Sequence, residues 1–174
     1  MTTTTIIDYR RTDLRTNVLE TPYWISSGRM FGPDCEDLAA LCFSFPTAGL
    51  ITIVMQVVFQ VEVAFTSSTL IHVASGTLAT DAVTTAGVVT EVDADEYMLH
   101  EDITVGTAGY YGCTTSNTSD WLTAKAAGTW AAPLFITGAA STVPCVYVTM
   151  TNSGTIAAGY GRLHMLITNV PGKN

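Results

Sequence analysis

From residue 51 the chain alternates: Ile51, Ile53, Met55, Val57, Phe59, Val61, Val63 and Phe65 are apolar, and Thr52, Gln56, Gln60 and Glu62 fall between them. A period of two marks a strand with one buried face, because successive side chains leave opposite sides of the pleat. One straight strand over residues 50–65 would reach roughly 50 Å at about 3.3 Å per residue, so the pattern predicts a bulge, or a bend from one sheet into another. Further strands are predicted over residues 70–74, 88–92, 97–105, 134–137, 143–151 and 160–169. Turn chemistry separates them at Ser75-Gly76, Ala86-Gly87, residues 106–109, Gly112, Gly128, Gly138 and Asn152-Ser153-Gly154. In the last two strands the alternation returns. Val146, Val148 and Met150 oppose Cys145, Tyr147 and Thr149, and Leu163, Met165 and Ile167 oppose Arg162, His164 and Thr168. The turn at residues 152–154 predicts that these two strands form a hairpin.

Helical signals are confined to residues 33–43, where Gly32-Pro33-Asp34 opens a turn, Glu36 and Asp37 follow, and Leu38, Leu41 and Cys42 share a face. An extended reading of residues 41–45 competes with it, since Phe45-Pro46 closes the segment. Residues 1–22 stand apart, with a run of threonines followed by Asp8, Arg10, Arg11, Asp13, Arg15 and Glu20. They are expected to form an extended arm, ordered when something holds it, ahead of a body over residues 23–174. Seven or eight strands with at most one short helix define an all-β chain, an antiparallel β-sandwich of jelly-roll-like type.

Composition adds an expectation about surroundings. The 174 residues suit one such domain. Charged residues make up 13% and hydrophobic ones 48%, against about a quarter charged in ordinary domains, so part of the apolar surface is expected to be covered by neighbouring chains, including copies of this one. A net charge of −8 argues against nucleic acid, whose phosphates are bound by clustered Lys and Arg. The one basic cluster is Arg10, Arg11 and Arg15, in the arm. Residues 103–161 carry only Asp120 and Lys125 as charges and hold Tyr110, Tyr111, Trp121 and Trp130. Charge depletion with aromatic enrichment is the mark of an interface centre, and these four aromatics with the three arginines are the candidate partner-contacting residues. Gln56, Gln60 and Glu62 interrupt the most apolar stretch, so no membrane-spanning helix is expected. The opening residues show neither a cationic region nor an apolar core of a signal peptide, and assembly in a host cytoplasm is the expectation.

Candidate chemistry is sparse. His72, His100 and His164 lack the ligand spacing of a metal site, and Cys35, Cys42, Cys113 and Cys145 lack a C-x-x-C pair. The cysteines are expected to be free, buried thiols, with a Cys113–Cys145 bridge as the alternative. Glu91, Asp93, Asp95 and Asp102 take calcium-loop positions, but Glu96 stands where the loop needs Gly. Nucleophile-elbow, phosphate-loop and H-E-x-x-H patterns are absent from the sequence. Neither catalysis nor a cofactor nor a metal is expected.

The order of features, residues 37–45, then 46–49 leading into the long alternating strand, then Phe65 with residues 66–69, and a last strand led by Gly161 and Arg162 and running through residues 163–170, resembles the small β-sandwich proteins that decorate or cement tailed-bacteriophage capsids. The resemblance covers roughly residues 37–171. It implies a structural virion protein on the outer capsid surface, a homotrimer bracing copies of the major capsid protein. The competing expectation is a carbohydrate- or receptor-binding sandwich such as a phage fibre tip, with exposed Tyr110, Tyr111, Trp121 and Trp130 stacking on glycans.

Overall fold

A computed structural model describes residues 3–10, 19–35, 39–45, 50–66, 69–79, 88–102, 108–111, 134–136, 142–152 and 154–171. Two antiparallel-rich sheets pack in a sandwich-like arrangement. The first contains β1 (Thr3–Asp8), β4 (Ala39–Ser44), β6 (Thr69–Ala79), β7 (Val88–Asp102) and β10 (Thr142–Asn152). It runs in the order β1-β4-β10-β6-β7 and closes on itself, because β1 pairs with β4 on one side and β7 on the other. The second runs β2 (Leu19–Ser26), β11 (Tyr160–Pro171), β5 (Leu50–Val63) and β8 (Gly109–Tyr111), with β3 (Met30–Phe31) on β11 and β9 (Leu134–Ile136) on β5.

Strand parity explains how the layers are held. On β10, Val146, Val148 and Met150 join the main core, and on β11 Leu163, Met165 and Ile167 meet them from the second sheet. The opposite face of the first sheet, with Ala39, Leu41, Ala74, Leu78, Cys145 and Tyr147, fills a separate core inside the ring of strands. Strands β4, β6 and β10 of the first sheet therefore feed a core from both faces, and β4 carries apolar residues at successive positions instead of alternating. That is the physical reason residues 39–43 resemble a buried helix in sequence. The helix α1 (Gly32–Cys35) is four residues long, not the eleven of residues 33–43, and Ala39–Ser44 is strand. Apolar runs buried on every side cannot be told apart by period alone.

Two further expectations are corrected. The last two strands do not form a hairpin: β10 pairs with β4 and β6, β11 pairs with β2, β3 and β5. They face each other across the main core, and the chain between them crosses from one sheet to the other, with Ile156 fully buried on the way. Ser75 and Gly76 are not a turn. They lie inside β6, where the register against β7 shifts, a common use of glycine in a strand.

The long strand behaves as its length demands, by bulging within one sheet. Register shifts against β11 fall between Leu166 and Ile167 and between Tyr160 and Gly161, and they leave Met55 and Glu62 as the extra residues on β5. Val57, Phe59 and Val61 point into the core as the alternation predicts. Beyond the first bulge the parity inverts: Val54 and Thr52 are buried, and Met55 is exposed. The buried Thr52 hydroxyl donates to Asn169 Oδ1 at 2.9 Å, and Asn169 Nδ2 donates to the Tyr23 hydroxyl at 3.1 Å. This chain satisfies polar groups that burial would otherwise penalise.

Residues 3–8 and 19–22 are extended and pair within the chain as β1, between β4 and β7, and the start of β2, on β11.

Candidate binding site on the outer face of the second sheet

Parity also decides what the second sheet shows to its surroundings. With Leu163, Met165 and Ile167 facing inward, β11 turns Arg162 and His164 outward. Across the sheet Ser26 stands opposite His164, His164 opposite Val58, and Gln60 opposite Tyr110. Trp24 and Tyr110 sit on the two outer strands, half or more exposed at 50% and 62%, and together with Val58 and His164 they frame a cavity of about 310 Å³. The Tyr110 and His164 rings are 6.5 Å apart between centroids and inclined at 50°.

The histidine forming the floor is fastened at both nitrogens. Ser26 Oγ lies 2.7 Å from Nδ1, and Gln60 Oε1 lies 2.9 Å from Nε2. Both contacts are satisfied by a neutral ring, with Nε2–H donating to Gln60 and Nδ1 accepting from Ser26. Burial lowers the His164 pKa below its ordinary value; the Arg162 charge lowers it further, and the Glu62 charge opposes them.

Beside this floor, Glu62 joins two arginines from different parts of the chain. Its Oε1 accepts a hydrogen bond from Arg162 Nε at 2.5 Å, and its Oε2 forms an ion pair with Arg29 Nε at 2.5 Å. The Arg29 guanidinium also lies 5.3 Å from the centroid of Tyr160, whose ring stacks on Phe31 at 4.9 Å. Burial pushes the Glu62 carboxyl up, but the hydrogen bond and charge of Arg162, with those of Arg29, outweigh it and hold the pKa below the ordinary value of 4.5.

The two groups have the same sign of effect on acidification, at different pH. For His164 the unfolded chain takes up the proton first, so stability falls as pH drops below 6.5. For Glu62 the folded chain resists protonation, so its contribution is complete above 4.5 and disappears as pH falls through the depressed value. Glu62→Gln is expected to lower the melting temperature at pH 7 by about 2–4 °C, corresponding to about 1 kcal/mol for a paired carboxylate near the surface, and to flatten the decline below pH 4.5. Calorimetric scans of both proteins between pH 3 and 8 check this; parallel pH profiles would refute it.

Of the residues singled out from sequence, Tyr110 lies at this site, while Tyr111 is partly buried and packs against the main core. Arg10 is spent within the chain. It pairs with Asp8 through Nη2 at 2.5 Å, donates from Nη1 to Ser44 Oγ at 3.1 Å, and is only 15% exposed. Arg11, Arg15, Trp121 and Trp130 lie outside the described residues. Cys42 and Cys145 are buried, the Cys42 thiol lies 3.3 Å from the Ala40 carbonyl oxygen, and burial pushes the Cys145 thiol up to about 12. The sequence reading did not single out Trp24, Val58 or His164 for this site. The usable signal was parity, since Trp24 neighbours the buried Ile25 and His164 neighbours the buried Leu163 and Met165.

Among the described residues, no three His, Cys, Asp or Glu side chains are grouped to hold a metal ion, and no helix is long and apolar enough to cross a membrane. Compared with known protein families, curated proteins and solved structures, the chain matches none.

Proposed function

We propose that this chain is a structural virion protein that decorates the outer surface of a protein shell and cements it, binding the major capsid protein through the outer face of the second sheet and acting as a homo-oligomer. One observation carries the reading. The large hydrophobic side chains left exposed among the described residues are Trp24, Met55, Val63 and Tyr110, and all four stand on strands of the second sheet. In the first sheet, β4, β6 and β10 give side chains to the main core on one face and to the second core on the other. Aromatic anchors within an apolar patch are the composition of an interface centre, and the surplus of hydrophobic over charged residues in the whole chain agrees with a surface that spends its life covered.

The test is co-sedimentation with purified shells from which the chain has been stripped. The unaltered protein is expected to sediment with the shells saturably. Trp24→Ala combined with Tyr110→Ala is expected to weaken binding at least tenfold, since a buried aromatic anchor contributes about 2 kcal/mol or more. Binding by the double variant equal to that of the parent would refute the assignment of this face, and failure of the parent to bind would refute the function.

A further inference from the structure

We infer that Arg29 and Arg162 form a receiving site for one carboxylate group of a bound molecule, with Glu62 as the residue that positions them. The inference is independent of the docking function and stands on the geometry of these three side chains.

The contrast with Arg10 carries it. Arg10 is closed within the chain: its Nε and Nη2 donate to Asp8, and its Nη1 donates to Ser44 Oγ. Arg29 and Arg162 are engaged at Nε alone, each by one oxygen of Glu62. Among the described residues no acceptor engages the Nη groups of either, so both guanidinium groups keep their outer donors for an incoming acceptor. Two guanidinium charges against one carboxylate also leave a local charge of +1, in a chain whose net charge is −8. One negative charge would balance it.

The donors are held in place as well. The Glu62 side chain is only 16% exposed and grips both residues. Arg29, although 54% exposed, also lies 5.3 Å from the centroid of Tyr160, whose ring stacks on Phe31. A surface ion pair adds little to stability and costs side-chain freedom, so folding alone gives a poor reason to fix an exposed arginine from two sides. Recognition gives a good one, because the ordering entropy is already lost before the ligand arrives. Planar guanidinium donors match the planar pair of carboxylate oxygens. A single charge also matches the local excess better than a phosphate group, which carries about −1.5 to −2 at neutral pH. Above pH 4.5 Glu62 stays ionised, so the arrangement persists in mildly acidic solution.

The experiment follows the Nε–Hε resonances of Arg10, Arg29 and Arg162 by NMR in the full chain, in mildly acidic buffer, as sodium acetate replaces sodium chloride at constant ionic strength. Acetate is expected to shift Arg29 and Arg162 saturably and to leave Arg10 in place. Arg29→Gln, at an exposed side chain, is expected to weaken the response of Arg162 about tenfold or more, the loss of one set of charge-assisted hydrogen bonds. Arg29→Lys, which restores the charge without the planar fork, is expected to recover only part of it. The N-acetyl amide of glutamate and glucuronate then distinguish an acidic side chain from an acidic sugar as the carrier of the group, the tighter of the two identifying the source. Inorganic phosphate is the comparison anion. No saturable shift with acetate, equal shifts at Arg10 and Arg29, or an Arg29→Gln protein that binds acetate as the parent does would overturn the inference and leave two solvated surface arginines. Tighter binding of phosphate than of every carboxylate would overturn the choice of ligand.

Discussion

Phe59→Ala is expected to destabilise the protein by about 3–5 kcal/mol, lowering the melting temperature by roughly 6–20 °C for a chain of this size. The Phe59 ring is fully buried at the centre of the main core. It lies 6.4 Å from the ring of Phe65, inclined at 43°, and it occupies the space above Gly161 on the neighbouring strand. A methyl group at Gly161 would meet ring atoms of Phe59 at 2.5 and 2.6 Å, so ring and glycine are complementary shapes. This complementarity makes the prediction more specific than a cavity cost. Gly161→Ala alone is expected to be destabilising, but in the Phe59→Ala background its penalty should shrink by at least 1 kcal/mol, because the added methyl then enters the void. Urea denaturation of the four proteins closes the cycle; strict additivity of the two substitutions would show that the ring does not rest on the glycine.

The second large effect is expected at Gly159, which links the crossing segment to β11. Its φ of 127° lies where side chains are strained, and a Cβ there would lie 2.6 Å from the Phe65 ring and 2.7 Å from the Phe65 Cα. A ring can turn aside, but the Phe65 Cα is backbone and cannot. The Gly159 carbonyl also accepts a hydrogen bond from the Gly32 amide at 3.0 Å, so the segment has no freedom to relax outward without breaking it. Backbone strain and overpacking together put the cost of Gly159→Ala at about 2–6 kcal/mol. Gly154→Ala is the control, five residues away, with nothing within 4 Å of the added carbon and an expected change under about 0.5 kcal/mol. Thermal melts within 2 °C of each other for the two variants would contradict the crossing geometry.

The fold class was legible because a two-residue period survives wherever a strand has one buried and one open face, as in Val57, Phe59 and Val61 and again in Leu163, Met165 and Ile167. It failed where that condition fails. Residues 39–44 are covered on both sides, so no period distinguished them from a helix. Met55 shifts the register by one residue, and a single bulge inverts every later inference about which side is buried. The supposed terminal hairpin shows a different limit: two alternating strands joined by a short link look the same whether they pair edge to edge or face each other across a core. The site was less legible than the fold. Residues 24, 58, 110 and 164 meet only because β11 inserts between β2 and β5, and β8 joins the far edge of β5, a pairing that no local pattern announces. The surroundings of Arg10 were hidden for a similar reason, since its partners Asp8 and Ser44 lie on β1 and β4, paired strands that are distant in sequence.

Strand order also has a consequence for biosynthesis. β10 lies between β4 and β6, and β11 lies between β2 and β5, so each of these strands leaves the ribosome after the strands it pairs with. The flanking strands must each wait with an open edge, β2 for more than a hundred residues, and such long-range closure is slow and vulnerable to aggregation. A nascent chain stalled before residue 142 should be recognisable by its sensitivity to protease and its demand for chaperones, and extension through β11, to residue 171, should abolish both.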